Sequence, residues 1–339
     1  MDYGLFRNIA QNIPRLTKAA KKLFSYLLKA AILVLAFWFI YRQYLEKGDK
    51  LREFQTLIGN ISHTQVIITM SFMGLLMLVN WILESLKWRY LTLHLEPISV
   101  WAAIEAVFCG LTWAIFTPNR LGEYAGRVLF LPNRKRIHGV FAMAVGSFGQ
   151  NVITNVLGLS GAMWFLYNFV PLNIFIYIAI VIGSVIFCVF LCIFFFHIQW
   201  LVNVLDYIPY IKKFHRFFDI MGRYKKPDLI NIMGLSLARF FVFTFQYYLI
   251  IHLLIPQMPV FSMVMMVFVF LFVQSAMPSL DLLDIGVRNG AAAFLFSYIT
   301  DQSIAVMAAV SSIWLINLII PAILGSVFVF KLNFFDRNL

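Results

Sequence analysis

Groups able to hold an anion are concentrated in one short stretch, Thr117-Pro118-Asn119-Arg120-Leu121-Gly122-Glu123-Tyr124-Ala125-Gly126-Arg127. Pro118 ends the apolar run before it, and together with Gly122 and Gly126 it frees backbone amides where a helix restarts. Arg120 and Arg127 add guanidinium donors suited to a phosphate. Glu123 and Arg127 lie four apart on the resumed helix and can pair, which lowers the cost of holding either charge at low dielectric. The competing reading is a cytoplasmic loop with surface charges, although polar, broken backbone beside apolar runs is tolerated mainly around cavities. A second apolar run breaks in the same way at Pro278, resumes near Gly286 and brings Arg288. Two isolated ionisable residues, Glu105 and Arg239, lie inside apolar runs. Each is costly unless it faces a polar interior or, for Glu105, sits shallow and, for Arg239, snorkels to the interface. Arg120, Glu123, Arg127, Arg239 and Arg288 are the expected head-group contacts, and Pro118, Gly122, Pro278 and Gly286 the expected structural breaks.

Catalytic motifs are missing. The sequence has no Gly-x-Ser-x-Gly, Walker loop, dinucleotide glycine fingerprint or His-Glu-x-x-His. Its six histidines are scattered, so neither a zinc set nor a general-base pair is formed. Asp281 and Asp284 lie three apart and could hold a divalent ion, yet helix capping near Gly286 explains them more simply. Cys109, Cys188 and Cys192 sit in apolar stretches and read as packing rather than as a disulfide framework. We expect no enzyme activity, no cofactor and no metal.

The elements that must position these residues are membrane helices. Hydrophobic residues make up 62% of the 339 and charged residues only 12%, whereas a soluble chain carries about a quarter charged. The net charge of +12 resides largely in loops between apolar runs, where Lys and Arg favour anionic inner-leaflet lipids over nucleic acid. Residues 1–24 read as a cytoplasmic basic amphipathic helix on the inner leaflet. Residues 26–41 read as a retained first span rather than a signal peptide. Further runs of spanning length cover 64–83, 139–167, 172–196, 233–255 and 301–330.

The runs at 100–116 and 260–277 are the two that break. If both dip in and return on the same side, six crossings leave the basic segments 1–24, 84–138 and 197–232 and the tail 331–339 in the cytoplasm. Making only one of them cross would put a strongly basic loop outside. The expected fold is therefore all-α: about six transmembrane helices plus two re-entrant helical hairpins in one domain, 25–330, of a multi-pass cell (inner) membrane protein with both termini cytoplasmic. Residues 64–167 and 233–330 each read span, broken segment, span, with Pro118 answering Pro278, Gly122 answering Gly286 and Arg127 answering Arg288. Starting from opposite sides, they would form an inverted-topology repeat, the sequence pointer to a central substrate site.

On Lys87-Trp88-Arg89-Tyr90-Leu91, on the Pro118, Arg120, Gly122, Glu123 and Arg127 pattern, and on Ile285-Gly286-Val287-Arg288, the chain resembles the flippase-like transmembrane family. That family includes the membrane half of lysylphosphatidylglycerol synthase, and the resemblance covers about residues 33–330. It implies an inverted repeat with re-entrant helices and movement of a lipid, such as an aminoacylated phosphatidylglycerol, between leaflets. Two departures stand out: Asn289 replaces an expected acidic residue, and Leu280 to Leu283 replace a glycine-rich lead-in. Only nine residues follow Phe330, so no synthase activity is expected of the chain. The expected function is a lipid flippase or transporter of a phospholipid or lipid-linked substrate, passive or driven by potential or ion gradient. The alternatives are an accessory subunit partnering a lipid-modifying enzyme, and a transferase acting on a lipid-linked sugar through Asp281 and Asp284.

Overall fold

A computed structural model describes residues 59, 61–115, 117–208, 215–277 and 285–329. The amphipathic segment and first span expected within 1–41, the tail, and Pro278, Asp281 and Asp284 lie outside the described residues. Every element among the described residues is a helix: α1 (His63–Thr92), α2 (Val100–Ala114), α3 (Leu121–Val128), α4 (Arg136–Phe169), α5 (Ile174–Phe196), α6 (Gln199–Tyr207), α7 (His215–Gly222), α8 (Lys226–Leu254), α9 (Val260–Ala276), α10 (Ile285–Phe296), α11 (Ser303–Trp314) and α12 (Ile320–Val329). A π-helical turn, Leu315–Ile319, joins α11 to α12 without ending the rod.

Among the described residues, five stretches are long and apolar enough to cross a membrane: His63–Thr92, Asn133–Phe169, Ile174–Phe196, Lys226–Leu254 and Ser303–Val329. They coincide with five of the six expected spans. The sixth, 26–41, is outside the described residues. At its far end α1 runs well beyond the apolar stretch 64–83, because no proline or glycine intervenes between Leu83 and Thr92. Leu95 and Glu96 then donate backbone N–H groups to the Thr92 carbonyl, at 2.8 and 2.7 Å, and close the helix end before Pro97. The residues just past Leu83 are thus helical and buried instead of opening a loop. Nearby, Tyr224 donates to the Leu91 carbonyl at 2.7 Å, and burial, with Asp228 beside it, pushes its phenol pKa up.

The helices pack as two units of like connectivity. In the first, α1 packs on α2, α2 on α3, α3 on α4 and α1 on α4; in the second, α8 packs on α9, α9 on α10, α10 on α11 and α8 on α11. Between units, α1 lies on α8, α9 lies on α4, and α2 lies on α12. Exchanging α1 with α8, α2 with α9, α3 with α10, and α4 with the α11–α12 rod therefore returns the same packing scheme. Small residues permit both crossings. A Cβ on Gly161 of α4 would stand 2.8 Å from the Met265 carbonyl oxygen of α9, and one on Gly325 of α12 would collide with the Phe108 carbonyl oxygen of α2. Matching polar links also join the units' inner helices, Tyr124 to Ser147 at 3.0 Å and Asn289 to Ser311 at 2.9 Å.

Candidate functional site

The break after α2 is built to turn the chain back on itself. Thr117 Oγ1 donates toward the Trp113 and Ala114 carbonyls and accepts from the Gly122 N–H at 2.6 Å. Asn119 and Arg120, within the 3₁₀ turn Pro118–Arg120, both take left-handed conformations, φ 49° and 56°. Such non-glycine residues cost on the order of 1–3 kcal/mol each and persist only where the surroundings impose them. The imposed constraint is close approach: a Cβ on Gly122 would collide with the Trp113 carbonyl, and one on Gly126 would stand 2.6 Å from Gly110 Cα. Both glycines are needed for α3 to fold back along α2, which carries Arg120, Glu123 and Arg127 against α1.

There they meet a carboxylate from another helix. Arg127 Nη1 donates to Glu84 Oε1 at 2.6 Å, and its Nη2 donates to Glu123. Glu84 also takes Lys87 Nζ at 2.8 Å and a guanidinium N–H of Arg239 from α8. Arg120 Nε lies 3.0 Å from the second oxygen of Glu123. Arg239 is anchored further by its Nε, which donates to Asn80 Oδ1 at 3.0 Å, and it stacks over the Trp81 ring at 5.3 Å. Glu84, Lys87, Glu123 and Arg127 are all buried, Arg127 to 1% exposure. Among the described residues, four cations thus enclose two carboxylates in one network. Charges so deep are held only because each is paired, and removing one partner from such a group costs about 3–5 kcal/mol.

This network forms one side of a cavity of about 640 Å³. Lys87, Arg120, Arg239 and Arg288 reach it, as do the apolar side chains of Phe240, Phe243 and Leu271. With its amide oxygen turned toward Arg288, Gln274 of α9 accepts from that guanidinium at 3.2 and 2.6 Å. A smaller cavity of about 80 Å³ shares Arg120, Arg239 and Arg288 with the first and continues toward Trp314, Asn317 and Leu318 at the π-helical turn. Turns of this kind recur where a helix serves a site.

All five head-group residues expected from the sequence belong to this place: Arg120, Glu123, Arg239 and Arg288 line the cavity, and Arg127 braces it from behind. Arg239 points inward to Glu84 and Asn80, so the snorkelling alternative is set aside for it. Glu105 is partly buried on α2 and does not line the cavity. Gly122 is a tight packing point, whereas no described residue comes within 4 Å of a Cβ placed on Gly286. Glu84, Lys87 and Asn80 were not among the expected residues. Their signal was present as Asn80, Glu84 and Lys87 at spacings of four and three, one face of a helix, but Glu84 and Lys87 lay just past the apolar run and Asn80 alone within it. A polar row on α4, Ser147, Gln150, Asn151 and Thr154, also lines the cavity and was hidden within a span that reads as apolar. Compared with known families, curated proteins and solved structures, the chain matches none.

Proposed function

We propose that the protein is a multi-pass membrane protein that moves a phospholipid or lipid-linked substrate between leaflets, holding the phosphate of its head group in the cation-lined cavity. The observation that carries this reading is the cluster of Lys87, Arg120, Arg239 and Arg288 around a 640 Å³ space lined in part by helices long and apolar enough to span a membrane. Ionisable residues within membrane helices are rare and mark substrate or ion pathways by default, and guanidinium groups recognise phosphate through paired donors. The surroundings fit lipid. Helix α5 has one buried residue, Phe195, and exposes Phe175, Ile186 and Phe190 at 79, 63 and 56%, a surface that hydrocarbon accommodates and water does not.

The two-unit packing supports an inverted repeat, with α2–α3 and α9–α10 as re-entrant pairs. Helix α2 has 15 residues and α9 has 17, lengths of about 22 and 26 Å at 1.5 Å per residue, short of the roughly 30 Å hydrocarbon core. Interrupted segments at corresponding places in two repeats are where transporters of this plan place their substrates. Arg239 and Arg120 each pair with a carboxylate, Glu84 and Glu123, which keeps them in place at the cavity.

Reconstitution into liposomes with fluorescent phospholipids tests the proposal. The purified protein should equilibrate at least one anionic phospholipid between leaflets, and Arg239→Gln or Arg288→Gln should slow it by about tenfold or more, the loss expected of a charge-assisted phosphate contact. Equal rates for wild type, both variants and protein-free liposomes would remove the proposal.

A further inference from the structure

The lining of the cavity is chemically divided, and the division bears on the head group. Lys87, Arg120, Arg239 and Arg288 supply cations from α1, the turn before α3, α8 and α10. A second set comes from α4 alone and is neutral: Ser147, Gln150, Asn151 and Thr154, spaced by three, one and three residues on one helical face. Several groups in this row are not used up by the fold. Gln150 donates to the Ser236 carbonyl at 3.4 Å, but its Oε1 is buried without a partner among the described residues. Asn151 is exposed at the cavity, and its side-chain amide has no partner among the described residues. A carboxamide offers both donors and an acceptor, which complements hydroxyl groups, themselves both donors and acceptors.

An amine finds little here. An ammonium donates only and seeks a carboxylate or an aromatic face. Among the described residues, both carboxylates at the cavity are engaged, Glu84 by Arg127, Lys87 and Arg239, and Glu123 by Arg120 and Arg127. Of the aromatic rings at the cavity, Trp81 already faces the Arg239 guanidinium, and Tyr124, Phe240 and Phe243 offer only neutral faces among four cations that repel an ammonium. We infer that the head group joins a phosphate, held by the cations, to a neutral hydroxyl-rich part such as glycerol, inositol or a sugar, which lies along the Gln150–Asn151 row. This rests on the lipid-transport reading above and narrows it, and it disfavours the aminoacylated lipid that the family resemblance suggests.

The test measures binding of short-chain phosphatidylinositol, phosphatidylglycerol, phosphatidylethanolamine and phosphatidic acid to the full-length protein in detergent. Phosphatidylinositol and phosphatidylglycerol should bind more tightly than phosphatidylethanolamine. Because charge alone favours that order, the deciding arm is Asn151→Leu. It should weaken phosphatidylinositol by about threefold to tenfold, the worth of one or two hydrogen bonds, and leave phosphatidic acid unchanged. Retained phosphatidic acid binding also reports that the variant is folded; should Asn151→Leu fail to fold, Asn151→Ala is read in the same way. If the substitution affects all four lipids equally or none of them, the hydroxyl-binding row is refuted while the transport reading stands. If no phospholipid binds the wild type, both readings fall together.

Discussion

The two halves of the molecule share a packing plan and differ in what they do with it. In the first, the α2–α3 pair carries two left-handed residues, a Gly110–Gly126 contact and the linked charges of Arg120, Glu123 and Arg127, the last of which reaches Glu84. In the second, α10 delivers Arg288 to Gln274, and no described residue crowds Gly286. The backbone exchange therefore does not impose an exchange of chemistry. The first half holds both carboxylates and three of the four cations of the network, and the second contributes Arg239, Arg288 and amides to the same cavity. Backbone close packing and buried charge occur together in the first half because the network demands fixed geometry. Pairs buried at low dielectric lose their compensation when a partner shifts.

The contrast is broken most directly at its two arginines. Arg127→Met leaves Glu84 and Glu123 buried with a partner lost and should cost about 3–5 kcal/mol, read as a lowered thermal midpoint of the detergent-purified protein. Arg288→Met, at a half-buried side chain, should cost about 1 kcal/mol or less. Equal losses would mean that the halves are not differently built. A smaller effect separates the glycines. Gly126→Ala should destabilise by about 1–3 kcal/mol through overpacking against Gly110, while Gly286→Ala, with no described residue in its way, should be neutral or gain up to about 1 kcal/mol from helix propensity. Smallest are the matched polar links, where Ser147→Ala and Ser311→Ala should each cost about 0.5–1.5 kcal/mol. Their similarity would sharpen the view that the halves agree in packing and part only in charge.

Much of the scaffold was legible in the residues. Long apolar runs located five of the described helices that can span, because burying some twenty apolar residues in sequence has few other solutions. Pro118, Gly122 and Arg127 located the first break, since proline and glycine act locally. The site was half legible. Arg120, Glu123 and Arg127 lie in one sequence stretch, but their main partner, Glu84, sits 43 residues from Arg127, and nothing local links them. Hydropathy also misplaced Glu84 and Lys87: a run of apolar residues ends where charge begins, whereas a helix ends only where its backbone is interrupted. The α4 row was missed for the opposite reason, as four neutral polar residues barely alter the hydropathy of a 34-residue helix.

The account stands on a phosphate-bearing lipid reaching the space between the halves. Phe243→benzoylphenylalanine, irradiated in native membranes and analysed by mass spectrometry, examines that space directly, with the same replacement at the 79%-exposed Phe175 reporting the bulk bilayer. The account predicts lipid adducts at position 243 that are enriched in one anionic head group relative to position 175 and that vanish with Arg239→Gln. Adducts at 243 matching the bulk composition, or none at all, would contradict it.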